Sequence, residues 1–342
     1  MFITVLAVWA SLPVRAQDAR QDEVLLDVAA LGVGNMARAS DWNGILIEFQ
    51  DQGASQREVV IEVQTRDIDG DQPRYRRTVT TNPGGGAERV WVYAYLQPDD
   101  LDRPLIISAY EAIPASDEVE ASSGVRYEPG GLLGRITTAG RTVRDPEIGT
   151  LLVVGRQPAG LSGYASRAAA ADPWMARGHE ATDIAGDLAP ESLPDRALGY
   201  VGIETIVWTS ADPTRLTPAR AEALAEWVRN GGHLVVGLPA SPQVWFDRAR
   251  NQLAGILPRV QTVRSSAGVE PLRPLLSYED QIPLPDAVVV FDLRAEAAAG
   301  DSEVWPVLRD EAGRTVVSRR RVGLGCVTVI GFDVSNRSLA SL

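Results

Sequence analysis

Apolar and polar positions alternate in short runs from Glu23 to about Ala112: "EVLLDVAALGV", "NGILIEFQD", "REVVIEVQTRD", "RYRRTVTTN", "ERVWVYAYLQ" and "PLIISAYEA". Period-two alternation broken by "DIDGDQP" and "NPGGGAE" predicts antiparallel strands joined by hairpins. Strands at this spacing predict an all-β, immunoglobulin-like sandwich over residues 17–112, with Trp42 and Trp91 as core anchors. Sugar stacking is the alternative use of those two indoles. Residues 113–147, with "PASDEVEASSG" and "PGGLLGR", read as a linker with connecting strands. Beyond them the pattern changes. "GTLLVVG", "IETIVWTSAD" and "HLVVGLP" are apolar without alternation, and "TPARAEALAEWVRNGG" lies between the last two. That segment has Thr217 as cap, Pro218 in the first turn, one apolar face (Ala221, Leu224, Ala225, Val228) and a glycine stop. Buried strands interleaved with a helix predict a parallel sheet covered on both faces, a three-layer α/β domain of flavodoxin-like type over 148–342. "DEAG" and "RVGLG" separate further strand-like runs near the end, of which "CVTVIGFDVS" is apolar enough to be central.

The first residues modify this division. "MFITVLAVWASLPVRAQ" has an apolar run too short to span a bilayer, then Val14 and Ala16 in the small-residue pattern of a signal-peptidase site. Residues 1–16 are therefore expected to be a signal peptide and the mature chain to begin at Gln17, which makes the protein exported, to the periplasm or cell envelope. A buried N-terminal strand is the alternative. The chain of 342 residues is long enough for about two cored domains. Its charge of −12 contains no lysine: all 33 basic residues are arginine. A phosphate loop ending in Gly-Lys and a Schiff-base lysine are thus excluded. Acidity without a basic run also argues against nucleic acid and anionic lipid as partners. With Cys326 as the single cysteine, no intrachain disulfide forms.

The order strand, "TSAD" turn, helix, Gly-Gly, strand, "GLPAS" turn, then "GLGCVTVIGFDVS", resembles the class I glutamine amidotransferase-like domain, which in exported bacterial proteins follows a β-sandwich. In active members of that family the turn after the second strand reads Gly-x-Cys-x-Gly, and a late His-x-Glu supplies the base. The matching residues here are Gly237, Leu238, Pro239, Ala240 and Ser241, so proline stands at the nucleophile's place. The histidine partner is missing as well, because the chain holds only His179 and His233. Cys326 lies in an apolar strand, where a thiol is inert. The resemblance therefore implies a degenerate, non-catalytic domain.

Other constellations have plainer readings. Asp67, Asp69 and Asp71 have the spacing that opens a calcium loop, but Gln72 and Thr78 stand where that loop needs glycine and glutamate, which leaves a hairpin tip. His179, Glu180 and Asp183 have helical spacing for a metal pair but no second cluster. Ser162 in "GLSGY" lacks a nucleophile elbow. "VGLGC" is followed by a strand, not by the helix a dinucleotide site requires.

The sequence thus predicts a non-catalytic binding or assembly component of the envelope, with protein partners, no cofactor and no metal. If a ligand pocket exists, it is expected at the carboxyl edge of the parallel sheet, from Arg156, Ser210, Asp212, Pro239, Ser241 and Asp333. A hydrolase using that edge and a carbohydrate-binding module are the alternatives. Membrane attachment is expected only if the chain continues past Leu342, and "RSLASL" closes neither a helix nor a polar tail, which favours continuation.

Overall fold

The computed structural model describes residues 23–67, 69–82, 84–97, 104–116, 126–138, 149–156, 182–265, 289–297, 300, 303–310 and 312–335. The signal-peptide expectation lies outside them, as do His179, Glu180 and Ser162. The amino-terminal part is built from seven strands: β1 (Val24–Leu31), β2 (Asp41–Asp51), β3 (Glu58–Gln64), β4 (Arg74–Thr80), β5 (Glu88–Leu96), β6 (Ile106–Pro114) and β7 (Tyr127–Thr137). They form a three-stranded sheet, β1-β2-β5, and a four-stranded sheet, β4-β3-β6-β7, with every neighbouring pair antiparallel. Ile45, Ile47, Val59, Ile61, Val92 and Ile107 are among the residues of one buried core that takes side chains from both sheets. The sandwich thus continues to Thr137, into the stretch read from sequence as linker and connecting strands.

Strand β5 is buried without a break from Val90 to Ala94, which alternation alone does not explain. Val90, Val92 and Ala94 belong to the sandwich core. Trp91 and Tyr93, with Leu46 of β2, face the other way into a second core shared with Leu193, Tyr200 and Ile203. Both faces of this sheet are therefore removed from water, which is why "VWVYA" is apolar throughout.

The second sheet has seven strands in the order β14-β15-β16-β11-β10-β8-β9: β8 (Gly149–Val154), β9 (Thr182–Leu188), β10 (Thr205–Trp208), β11 (His233–Gly237), β14 (Trp305–Arg309), β15 (Thr315–Val322) and β16 (Gly325–Ile330). The ladder β16-β11-β10-β8-β9 is parallel, and β15 and β14 continue it antiparallel. One face, with Leu152, Ile206, Trp208, Leu234, Val327 and Val329, shares its core with Ala221, Leu224 and Val228 of helix α1 (Pro218–Arg229). Thr217 caps α1, its hydroxyl accepting from the Arg220 N–H at 3.4 Å.

The three-layer α/β expectation for 148–342 is corrected by this architecture. Strands dominate the described residues, whose α-helices are α1 and the single turn α2 (Gln243–Phe246). The passage from β11 to β16 runs through β12 (Val260–Ser265) and β13 (Val290–Ala295), paired as a separate two-stranded sheet, and then through β14 and β15. The reason is local. A covering helix needs apolar residues three and four apart repeated over several turns, and "PARAEALAEWVR" supplies them, whereas "TVVSRRRV" carries its apolar residues as β-branched valines and "VFDLRA" is too short to repeat a helical stripe.

Candidate functional site

Register decides which loops meet at the carboxyl edge of the parallel ladder. Val154 is level with Trp208, Trp208 with Val236, and Gly237 with Ile330. The segments that follow these strands therefore emerge side by side: Gly155–Arg156, Thr209–Asp212, Leu238–Ser241 and Gly331–Asp333. The six residues expected at this edge are brought to it. Arg156, Ser210, Asp212 and Ser241 are exposed, and Pro239 and Asp333 are half-buried.

Among the described residues the two carboxylates there are engaged locally. Asp212 Oδ1 accepts from the Thr214 N–H at 2.9 Å and from the Thr214 hydroxyl at 2.8 Å, capping a 3-10 turn. Asp333 Oδ1 accepts from the Ser335 N–H at 2.9 Å and from the Ser335 hydroxyl at 2.5 Å. Each carboxylate is turned onto its own loop, as short polar side chains do at caps and turns. None of the six residues is hydrogen-bonded to another. Pro239 follows the fully buried Leu238, and the helix beyond it is the four-residue α2.

The described histidine lies elsewhere. His233 opens β11, at the amino end of the ladder, and its Cα partner across β16 is Cys326. Sequence reasoning missed this pair, because 93 positions separate the two residues and only the strand register makes them neighbours. The imidazole is engaged elsewhere: its Nε2 shares a hydrogen bond of 2.9 Å with the Thr328 hydroxyl, which also accepts from Arg319 Nε at 2.9 Å. Burial, aided by the Arg319 charge, lowers the imidazole's pKa and keeps it neutral. Cys326 is half-buried, more open than its apolar strand suggested.

The remaining motifs fall into place as turns and packing. Asp67 Oδ1 accepts from the N–H groups of Asp69 (3.1 Å) and Asp71 (2.7 Å), closing the connection between β3 and β4. Gly323, with φ of 62°, sits in the two-residue turn between β15 and β16. Asp183 lies in β9, level with Thr150. Among the described residues no group of three or more His, Cys, Asp or Glu is arranged to hold a metal ion. Trp91 is buried and donates from Nε1 to Leu193 O at 3.2 Å. Trp42 is half-buried and meets Tyr75 and Tyr95 edge-on, at 81° and 79°.

A domain of unknown function (DUF4350) matches residues 197–333, less than half of the chain, and this replaces the amidotransferase-like resemblance. The layout that suggested it, strand-turn-helix-strand around a Gly-Gly stop, is common to parallel sheets and is not specific to amidotransferases. No curated protein matches. Among solved structures, the chain is similar to an exo-β-1,4-mannosidase from Opitutaceae bacterium strain TAV5, at 17% identity over 57% of this chain and 33% of that one, with a TM-score of 0.34. A calcium-binding mutant of Bacteroides uniformis β-glucuronidase 2 follows at 10% identity, over 68% and 26%, with a TM-score of 0.20. The chain spans about a third or less of these enzymes, and at such scores the likeness carries no conclusion about fold or activity.

Proposed function

We propose that the protein is a non-catalytic binding or assembly component, exported to the cell envelope, in which the parallel sheet serves as a scaffold. The observation that carries this reading is the fate of the two carboxylates at the sheet's carboxyl edge. Acid-base work there needs a free carboxylate or histidine within reach of a reacting group, and Asp212 and Asp333 are each spent on a local cap. The signal-like residues 1–16 support the location.

The test is turnover by the purified protein on chromogenic esters and glycosides, alongside Asp212→Asn and Asp333→Asn. The expected outcome is no turnover above a heat-denatured control. Activity that either substitution abolishes while the melting temperature holds overturns the reading and makes the carboxyl edge an active site.

A further inference from the structure

A second concavity lies away from the carboxyl edge. Arg320 is level with Val327, near the start of β16, and so belongs to the amino half of the sheet. With Arg248, Asn251, Gln252, Gly255, Arg259 and Glu303 it lines a cavity of about 390 Å³. Three guanidiniums and one carboxylate line it, with a second carboxylate, Glu296, paired to Arg259, in a chain whose net charge is −12. Positive charge gathered in one hollow of an acidic protein acts locally, since a hollow focuses the field of its lining charges.

Two of the guanidiniums already hold an oxyanion of the protein's own. Arg259 Nη1 lies 3.2 Å from Glu303 Oε2 and Arg320 Nη2 lies 3.5 Å from Glu303 Oε1. The Gly300 N–H also donates to Glu303 Oε2, at 3.2 Å. Arg320 is fixed from behind, its Nη1 donating to Gly255 O at 2.8 Å and to Leu257 O at 2.9 Å. Arg259 Nε is out of contact with solvent and makes no hydrogen bond, although Glu296 Oε2 lies 3.5 Å away as an ion-pair partner. Arg248 is exposed and pairs with no acid among the described residues. The Asn251 side chain is committed to Trp245 O and the Leu253 N–H, so the amides do not satisfy the arginines.

We propose that this cavity is a binding site for a small molecule bearing an oxyanion, a phosphate or a carboxylate, seated on Arg248 and Arg259 beside the Glu303 carboxylate. The guanidinium fork matches both groups, and the volume is in the range of small-ligand sites. Glu303 acts as an internal competitor: it occupies donors of Arg259 and Arg320 that the ligand would otherwise take. The site is independent of whether the carboxyl edge is catalytic.

Isothermal titration at low ionic strength tests this, with inorganic phosphate and succinate as separate probes on the full chain. Saturable binding of one probe is expected, and which one binds assigns the oxyanion. Arg248→Ala, at an exposed position with no structural partner, weakens binding roughly tenfold, the value of one charge-assisted hydrogen bond. Glu303→Gln strengthens it several-fold, with its fold checked by circular dichroism. Arg321→Ala, one residue along β15 and so on its other face, leaves affinity unchanged. Absence of saturable binding for both probes overturns the proposal, as does an equal loss in Arg321→Ala, which would mean diffuse attraction and no site.

Discussion

His233 shows how much one half-buried side chain can set. Burial holds its imidazole pKa below the ordinary 6.5, so the unfolded chain takes up a proton that the folded chain refuses. Stability from this source is complete above about pH 6.5 and declines as pH falls from there through the lowered, folded value. Calorimetry between pH 7.5 and 5 should show the melting temperature falling over that window, and His233→Gln, which can still bond Thr328, should flatten the fall. The acids act in a different range. The Asp51 side chain is 1% exposed. Burial alone would raise its pKa, but hydrogen bonds from Arg57, the Gly53 N–H and the Thr81 hydroxyl outweigh that and bring it to about 2. Its contribution is therefore lost only as pH drops below its ordinary 3.8 toward 2, and Asp51→Ala, which leaves Arg57 with Glu23 as its remaining ion-pair partner and removes the acceptor of the Gly53 and Thr81 bonds, should cost about 2 kcal/mol in a denaturant titration. Of these residues the sequence makes Pro239 legible, since an elbow position is fixed by spacing along one segment. It leaves His233 beside Cys326 illegible, and the Arg248, Arg259 and Arg320 cavity with it, because those depend on which strands and loops become neighbours.

Secondary-structure elements were legible where their signals are local. Thr217, Pro218 and the Gly-Gly stop bracket α1, and the structure gives each a physical task. Gly231 adopts φ of 123°, and a Cβ on Gly232 would stand 2.3 Å from the Trp227 ring. Gly232→Ala must therefore displace the indole or the turn and should cost roughly 1–3 kcal/mol, read as a loss of a few degrees in melting temperature. Gly86→Ala, where a Cβ meets nothing within 4 Å, should stay within about 0.5 kcal/mol of the parent. Strand β7 was less legible, because "YEPGGLLGRIT" carries the proline and glycines of a linker. Those residues are tolerated at the edge of a sheet, and register shifts at Tyr110 in the pairing with β6 accommodate them. The helical cover expected for the second sheet was misjudged for the opposite reason: strands without alternation read as buried, but among the described residues those sharing their core come from the sandwich (Leu46, Trp91, Tyr93) and from turns (Leu193, Tyr200, Leu253, Ile256) as well as from α1.

At the scale of the molecule the decisive feature is the contact between the sandwich and the segment just before β10. Arg77 of β4 grips Asp195 with two bonds, 2.9 and 2.6 Å, and Arg77 Nη1 also donates to Trp91 O at 3.1 Å. The Tyr93 hydroxyl donates to Asp195 Oδ1 at 2.8 Å. Trp91 Nε1 and Arg220 Nε both donate to Leu193 O, at 3.2 and 2.9 Å. Around these bonds Leu46, Trp91 and Tyr93 join one apolar core with Leu193, Tyr200 and Ile203. Apolar burial supplies the adhesion, and the polar groups fix where it occurs, since each would be costly if left unpaired in that interior. Burial opposes ionisation of Asp195, but the bonds from Arg77 and Tyr93 prevail and keep its pKa below 3.8, so the joint holds throughout the neutral range. Breaking one partner should be expensive and breaking the second cheap. Arg77→Ala and Asp195→Ala are each expected to cost about 3 kcal/mol, while the double variant costs well under the sum, a coupling of about 1–3 kcal/mol. Strict additivity in the denaturant midpoints would mean that the pair is incidental. A second readout separates local loss from loss of the joint: the parent should melt in one calorimetric transition, and Trp91→Ala, which removes an indole from the shared core, should split it into two.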